Sequence, residues 1–175
     1  ELSQGYDLAR DIFMVGVWTA QRVSDYNNLS RENIKQHRIP KIIDNKLVYK
    51  EFQTVEIRQK KTGSKVSVPV SSELKSILER YDYQLPHLED QVLNRYMKDI
   101  CKLAGLDDIV EIQTTKGGKA VKEFKQKWEL VHSHTARRTG ATLMYLSGMD
   151  YYDIMRITGH TSPTMLKKYI KADSI

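Results

Sequence analysis

Ser133-His134-Thr135-Ala136-Arg137-Arg138-Thr139-Gly140-Ala141-Thr142 places one histidine and two arginines at a predicted helix start. His134 and Arg137 are three apart, so on a helix they share a face. Thr135 or Ser133 is expected to cap that helix, with backbone N–H groups left pointing outward. Arginine is permanently charged, and its planar fork suits phosphate oxygens. A neighbouring histidine can donate to the same anion or move a proton near neutral pH. A lone His-x-x-Arg reads more plainly as a solvated helix start.

Other stretches move the reading away from that plain one. Gly159-His160 follows, with Tyr169 nine residues beyond the histidine. Upstream stand Thr19-Ala20-Gln21-Arg22-Val23-Ser24-Asp25 and Lys60-Lys61-Thr62-Gly63. In this order and spacing the set resembles the catalytic domain of tyrosine recombinases, the phage-type integrases. Integrases of bacterial mobile elements and conjugative transposons are the nearest resemblance, since Ser-His-Thr-Ala-Arg-Arg-Thr is a recurrent form of their box. The likeness spans about residues 8–172.

That resemblance implies an α+β fold, mainly helical, with a small antiparallel sheet, similar to the catalytic core of type IB topoisomerases. It implies catalytic roles for Arg22, Lys61, His134, Arg137, His160 and Tyr169, with Asp25 supporting Arg22 and His134. Lys60, Arg138, Lys116 and Lys119 are the candidates for contacting DNA, although Arg138 stands where many members have a second histidine. It further implies double-stranded DNA as partner and a tetramer on paired sites in the longer protein. An N-terminal core-binding domain, absent from residues 1–175, would complete a clamp around the DNA. By itself the chain is expected to be a monomer. No cofactor or metal is expected, and the setting is the bacterial cytoplasm at the nucleoid.

Composition agrees with this without requiring it. The 175 residues suffice for one domain with a full core. A hydrophobic share of 40% beside 29% charged residues describes an ordinary globular chain. No run reaches the length of a membrane span, and no signal peptide opens the sequence. The chain begins at Glu1, so it is expected to be a piece of a longer protein. Cys101 is the single cysteine, which excludes an internal disulfide. The formal charge of +6 favours a polyanionic partner.

Periodicity supplies the elements. Leu8, Ile12 and Val15 predict a helix over about 6–18, with Trp18 at its end and a turn at Thr19-Ala20. Ser24 or Asp25 is expected to cap a second short helix ending near Leu29. Val55 and Ile57, then Val66, Val68 and Val70, alternate with polar residues as in half-buried strands. Thr62-Gly63-Ser64 supplies their turn, and Ile34 and Leu47–Tyr49 are expected to add strand. Lysines at such a tip are commonly solvated edge guards; a mobile hairpin can equally lower one onto a phosphate. A helix follows from Ser71 or Ser72 to about Tyr81, and another from Glu89 to Ala104 with a Val92, Tyr96, Ile100, Leu103 stripe. Residues 109–131 read as a second hairpin around Gly117-Gly118, carrying five lysines that form a solvated face or a flap on DNA. The last third is helical: Thr135–Leu146, Tyr152–Ile157, and a final helix opened by Pro163 that is expected to carry Tyr169.

The chemistry explains the residue types. Strand cleavage by a tyrosine is phosphoryl transfer, in which charge spreads over the phosphate oxygens. Positioned cations and donors carry most of the catalysis. Arg22 and Arg137 suit the two non-bridging oxygens. His134 and His160 can donate further hydrogen bonds, and His134 can accept the phenol proton. Lys61 is the candidate donor to the departing 5′-oxygen. Tyr145, Tyr151 and Tyr152 compete with Tyr169, which only the spacing from Gly159-His160 favours. Three rival readings remain: a chromosome-dimer-resolving recombinase, a basic DNA-binding module without catalysis, and a metal-dependent nuclease. The nuclease reading lacks ligands beyond His132 and His134. Six residues follow Tyr169, so an exchanged C-terminal helix is expected to be short or to lie outside this sequence.

Overall fold

A computed structural model describes residues 4–170; the side chains of Gln4, Thr114, Lys116 and Lys119 are not described. The chain opens with helix α1 (Gln4–Thr19) and short helix α2 (Val23–Tyr26). A three-stranded antiparallel sheet follows, β1 (Ile34–Ile43), β2 (Lys46–Arg58) and β3 (Lys65–Pro69), in that order. Helices α3 (Ser72–Arg80) and α4 (Asp90–Leu103) precede a two-stranded hairpin, β4 (Ile109–Lys116) and β5 (Lys119–Gln126). The chain then ends in α5 (Ser133–Leu146), α6 (Tyr151–Thr158) and α7 (Pro163–Lys167). This is the mixed, mainly helical fold with small antiparallel sheets that the sequence predicts.

The main core lies where α1, α3 and α4 meet the sheet. Ile12 and Val15 of α1 pack with Val55, Ile57, Val66 and Val68 of the sheet and with Leu74, Leu78 and Leu93 of the helices. At about 1.5–3 kcal/mol for each fully buried aliphatic side chain, this cluster fixes the sheet against the helices. A second cluster joins Ala141, Ile154, Leu166 and Ile170, so it pins α7 to α5 and α6 and sets the position of Tyr169. Helix α5 crosses α1 at Gly140, where any Cβ would collide with the Val17 carbonyl oxygen. The glycine of the opening box therefore permits that close crossing.

Several elements differ from expectation. Helix α5 starts at Ser133, and its cap is His132: Nδ1 accepts the His134 N–H at 3.2 Å. Neither Ser133 nor Thr135 is the N-cap, because Ser133 is already helical and its N–H is taken by Asn94 Oδ1 at 2.6 Å. The Thr135 hydroxyl instead accepts the His132 N–H at 3.2 Å. The expected outward N–H groups are thus already engaged. Helix α2 begins one residue after Arg22 with no side-chain cap and stops at Tyr26, short of Leu29. The fully buried residues of α4 are Leu93 and Met97; Tyr96 and Ile100 of the predicted stripe pack half-buried against the same core, whereas Leu103 is 71% exposed. Strands β1 and β2 extend far past their expected ends into a solvent-exposed arm that turns at Asp44-Asn45. Both turn residues have positive φ, as a two-residue hairpin turn of the I′ kind requires.

Candidate active site

Arg22, His134, Arg137, His160 and Tyr169 come together from four segments. Arg22 stands at the head of α2, just after the left-handed Ala20 (φ 51°) that ends α1 sharply. The turn is held by Thr19 Oγ1, which donates to the Val15 carbonyl at 2.7 Å. His134 and Arg137 share a face of α5. His160 follows Gly159, whose left-handed φ of 73° closes α6. Tyr169 lies in the turn just past α7, its N–H bonded to the Leu166 carbonyl at 2.8 Å, and so is not carried by the final helix itself.

Arg137 is fully buried, at 0% exposure. Its Nη2 donates to the Thr158 carbonyl at 2.8 Å, while Nε and Nη1 are buried with no hydrogen-bond partner among the described residues. Burial first, then the Arg22 charge, pulls the guanidinium down to about 10, against an opposing pull from Tyr169 and Asp25. It therefore remains charged at neutral pH. Arg22 Nη1 sits 3.8 Å from Asp25 Oδ2, too far for a hydrogen bond, and is also buried without one. Asp25 Oδ1 accepts the Lys60 N–H at 2.9 Å and faces the Ser24 hydroxyl at 3.4 Å. Asp25 thus ties Arg22 to the β2–β3 hairpin; its carboxylate is not bonded to His134.

The two histidines flank the phenol. The Tyr169 ring meets His160 edge-on with centroids 4.5 Å apart, and His134 at 5.2 Å. The Arg137 guanidinium carbon is 5.7 Å from the same ring centroid. Burial, then Arg137 and Arg22, push His160 down to about 4. His134 is lowered by burial, then by Arg137 and His132. Of the competing tyrosines, Tyr145 and Tyr151 pack on each other at 5.2 Å and Tyr152 is 67% exposed.

Other predicted residues lie outside this cluster. Lys60 and Lys61 are exposed on the turn at 60–62. Strand β2 ends at Arg58, so alternation along a strand does not distinguish the two lysines. Lys60 is the one whose backbone is tied to Asp25. Arg138 is half-buried and lines a groove with Leu106, Val131 and Leu143. Lys116 and Lys119 pair across the end of the β4–β5 hairpin, and their side chains lie outside the described residues.

Two residues outside the sequence-based candidates, Gln21 and Gln59, hold the site together. Gln21 and Gln59 are both fully buried. Gln59 Nε2 donates to Gln21 Oε1 at 2.7 Å and to the Thr158 carbonyl at 2.8 Å, while its Oε1 accepts the Thr62 hydroxyl at 2.8 Å. Gln21 Nε2 donates to the carbonyls of Ile157 at 2.6 Å and Thr19 at 3.0 Å. These bonds tie the Arg22 segment, the lysine-bearing turn and the end of α6 into one unit. A signal was present: Gln59 continues the inward phase of Val55 and Ile57, where a polar side chain needs buried partners.

Three buried guanidinium nitrogens that no described residue hydrogen-bonds, beside a phenol, suit an incoming oxyanion. The chain belongs to the phage integrase family, whose model matches residues 6–174. No curated protein sequence is significantly similar to it. Among solved structures it resembles the XerH site-specific recombinase bound to palindromic difH substrate in a post-cleavage complex, with TM-score 0.63 and 17% identity over 97% of this chain and 44% of that one. It also resembles a lambda integrase tetramer bound to a Holliday junction (TM-score 0.57, 18% identity, 98% of this chain and 47% of that one). A third likeness is the Tn1549 transposon integrase in complex with a circular intermediate DNA (TM-score 0.56, 15% identity, 96% and 55%). The fold is therefore that of tyrosine recombinase catalytic domains, and the chain spans about half the length of these proteins. Among the described residues no helix is long and apolar enough to cross a membrane.

Proposed function

We propose that this chain is the catalytic domain of a site-specific DNA recombinase of an integrative mobile element. It cleaves and rejoins DNA through a 3′-phosphotyrosine on Tyr169. The observation that carries this reading is the set of buried guanidinium nitrogens of Arg22 and Arg137, beside that phenol, that no described residue hydrogen-bonds. A phosphodiester supplies the missing acceptors: its two non-bridging oxygens match two guanidinium forks, and their charge answers the developing charge of the transition state. His134 completes the shell. Lys61, on a turn hinged to Asp25 and Gln59, protonates the departing 5′-oxygen. The phosphotyrosine conserves the bond energy, so rejoining needs no nucleotide hydrolysis.

The longer protein binds double-stranded DNA in the bacterial cytoplasm as a tetramer, with a core-binding domain completing the clamp; this chain alone is a monomer. Integration rather than chromosome-dimer resolution follows the form of the Ser133–Thr139 box. A binding module without catalysis is disfavoured by the convergence of five of the six candidate catalytic groups, all but Lys61, on one centre.

The test is trapping on nicked duplexes carrying the element's ends. Tyr169→Phe should abolish the covalent protein–DNA adduct and leave DNA binding intact. An adduct mapped by mass spectrometry to Tyr145, Tyr151 or Tyr152 would sink the assignment.

A further inference from the structure

The two buried glutamine amides are oriented by their partners. Gln21 Nε2 gives its hydrogens to the carbonyls of Ile157 and Thr19, which only accept. Gln21 Oε1 is thereby the acceptor for Gln59 Nε2 at 2.7 Å. The second Gln59 hydrogen goes to the Thr158 carbonyl at 2.8 Å. With both donors facing acceptors, the Gln59 amide cannot be reversed. Its Oε1 is held toward Thr62, whose hydroxyl donates to it at 2.8 Å. Gly159 packs on the same amide, since a Cβ there would come within 2.5 Å of Oε1. An exposed turn is thus fastened to a fully buried acceptor.

That turn carries Lys61. Its main chain is closed by the Gly63 N–H on the Gln59 carbonyl at 2.8 Å and the Gln59 N–H on the Ser64 carbonyl at 2.9 Å. Two further bonds tie it to the body of the protein, one on each side of Lys61. The Lys60 N–H donates to Asp25 Oδ1 at 2.9 Å, and Thr62 donates to Gln59. Each anchor leads to one of the two arginines. Asp25 Oδ2 lies 3.8 Å from Arg22 Nη1. The Thr158 carbonyl that accepts from Gln59 also accepts from Arg137 Nη2 at 2.8 Å. The long lysine side chain therefore starts from a backbone whose place is set relative to both guanidinium groups.

Resting on the reading of Lys61 as the acid for the leaving group, we propose that Gln59 and Thr62 are positioning residues. They set the Lys61 turn relative to Arg22 and Arg137, so that clamp and proton donor meet on one phosphate. In the step they serve, the bond from phosphorus to the 5′-oxygen breaks and its electron pair stays on that oxygen. The oxygen takes a proton from the Lys61 ammonium, which becomes a neutral amine. On rejoining, the 5′-hydroxyl returns the proton to that amine as its oxygen attacks phosphorus. Gln59 and Thr62 act only through where they hold Lys61.

The test is the rate of adduct formation by the longer protein on nicked duplexes carrying the element's ends, with oxygen or sulfur at the bridging 5′ position. Thr62→Val keeps the side-chain shape and removes the hydroxyl. On normal DNA it should be slower by roughly tenfold or more, since a group misplaced by about 1 Å costs up to about a hundredfold. On the sulfur substrate, which leaves without a proton, it should return close to the wild-type rate. Thr62→Ser keeps the donor and should stay near wild type on both. Added to Lys61→Ala, Thr62→Val should slow normal DNA no further, because residues that act as one unit are not additive. A wild-type rate for Thr62→Val on normal DNA overturns the proposal and leaves the reading of Lys61 standing. Equal slowing on both substrates also overturns it, since the defect then lies in the fold or the arginine clamp. If sulfur fails to restore Lys61→Ala, the reading of Lys61 falls and this proposal with it.

Discussion

Arg137→Met should make the protein more stable while destroying its activity. The wild-type guanidinium is fully buried, and desolvation with the Arg22 charge pulls it down to about 10. At about 1.4 kcal/mol per tenfold change, that environment weighs against the folded state by about 3 kcal/mol. Against this stands one hydrogen bond, Nη2 to the Thr158 carbonyl at 2.8 Å, worth about 2 kcal/mol for a charged donor. The carbonyl is not orphaned in the variant, because Gln59 Nε2 still donates to it at 2.8 Å. Methionine fills much of the vacated volume without burying a polar group. The expected gain is about 1 kcal/mol, or a rise of about 2–4 °C in Tm for a domain of this size. Urea and thermal melts measure it, repeated with sulfate or vanadate. The anion should stabilise the wild type more than the variant, narrowing the gap. A loss of more than about 1 kcal/mol in anion-free buffer would refute the idea that this arginine is kept for a ligand at the expense of the fold.

Two further outcomes follow from the same geometry. Lys61→Ala should be crippled on normal DNA and nearly restored on DNA with sulfur at the bridging 5′ position, since a thiolate leaves without a proton; rescue of Lys60→Ala instead would transfer the role to the neighbour. Stability should fall in acid: His160 is displaced from its ordinary 6.5 to about 4, and His134 and His132 are lowered in the same direction. The unfolded chain then binds more protons than the folded one, so stability present above pH 6.5 is lost as pH falls toward 4, by about 3 kcal/mol for His160. Urea midpoints at both ends of that window should converge in His160→Asn, and an unchanged acid slope in that variant would contradict the assignment.

The sequence by itself determined the elements and the cast. Alternation gave β2 and β3, helical spacing gave α1 and α3, and the order of the boxes named Arg22, His134, Arg137, His160 and Tyr169. These signals are local, because a strand repeats every two residues and a helix face every three or four. The β1–β2 arm was underestimated for a matching reason. It is exposed along most of its length, so no burial pattern marks it. What only the tertiary structure decided is how the cast is held. The bonds from Gln21 to Ile157, Gln59 to Thr158 and Arg137 to Thr158 span 136, 99 and 21 residues. Such pairs leave no periodic trace. The burial of Arg137 and the guanidinium nitrogens that no described residue bonds arise where those segments meet. A side chain's charge is written in the chain, but its desolvation and its missing partners exist only once distant segments have closed around it.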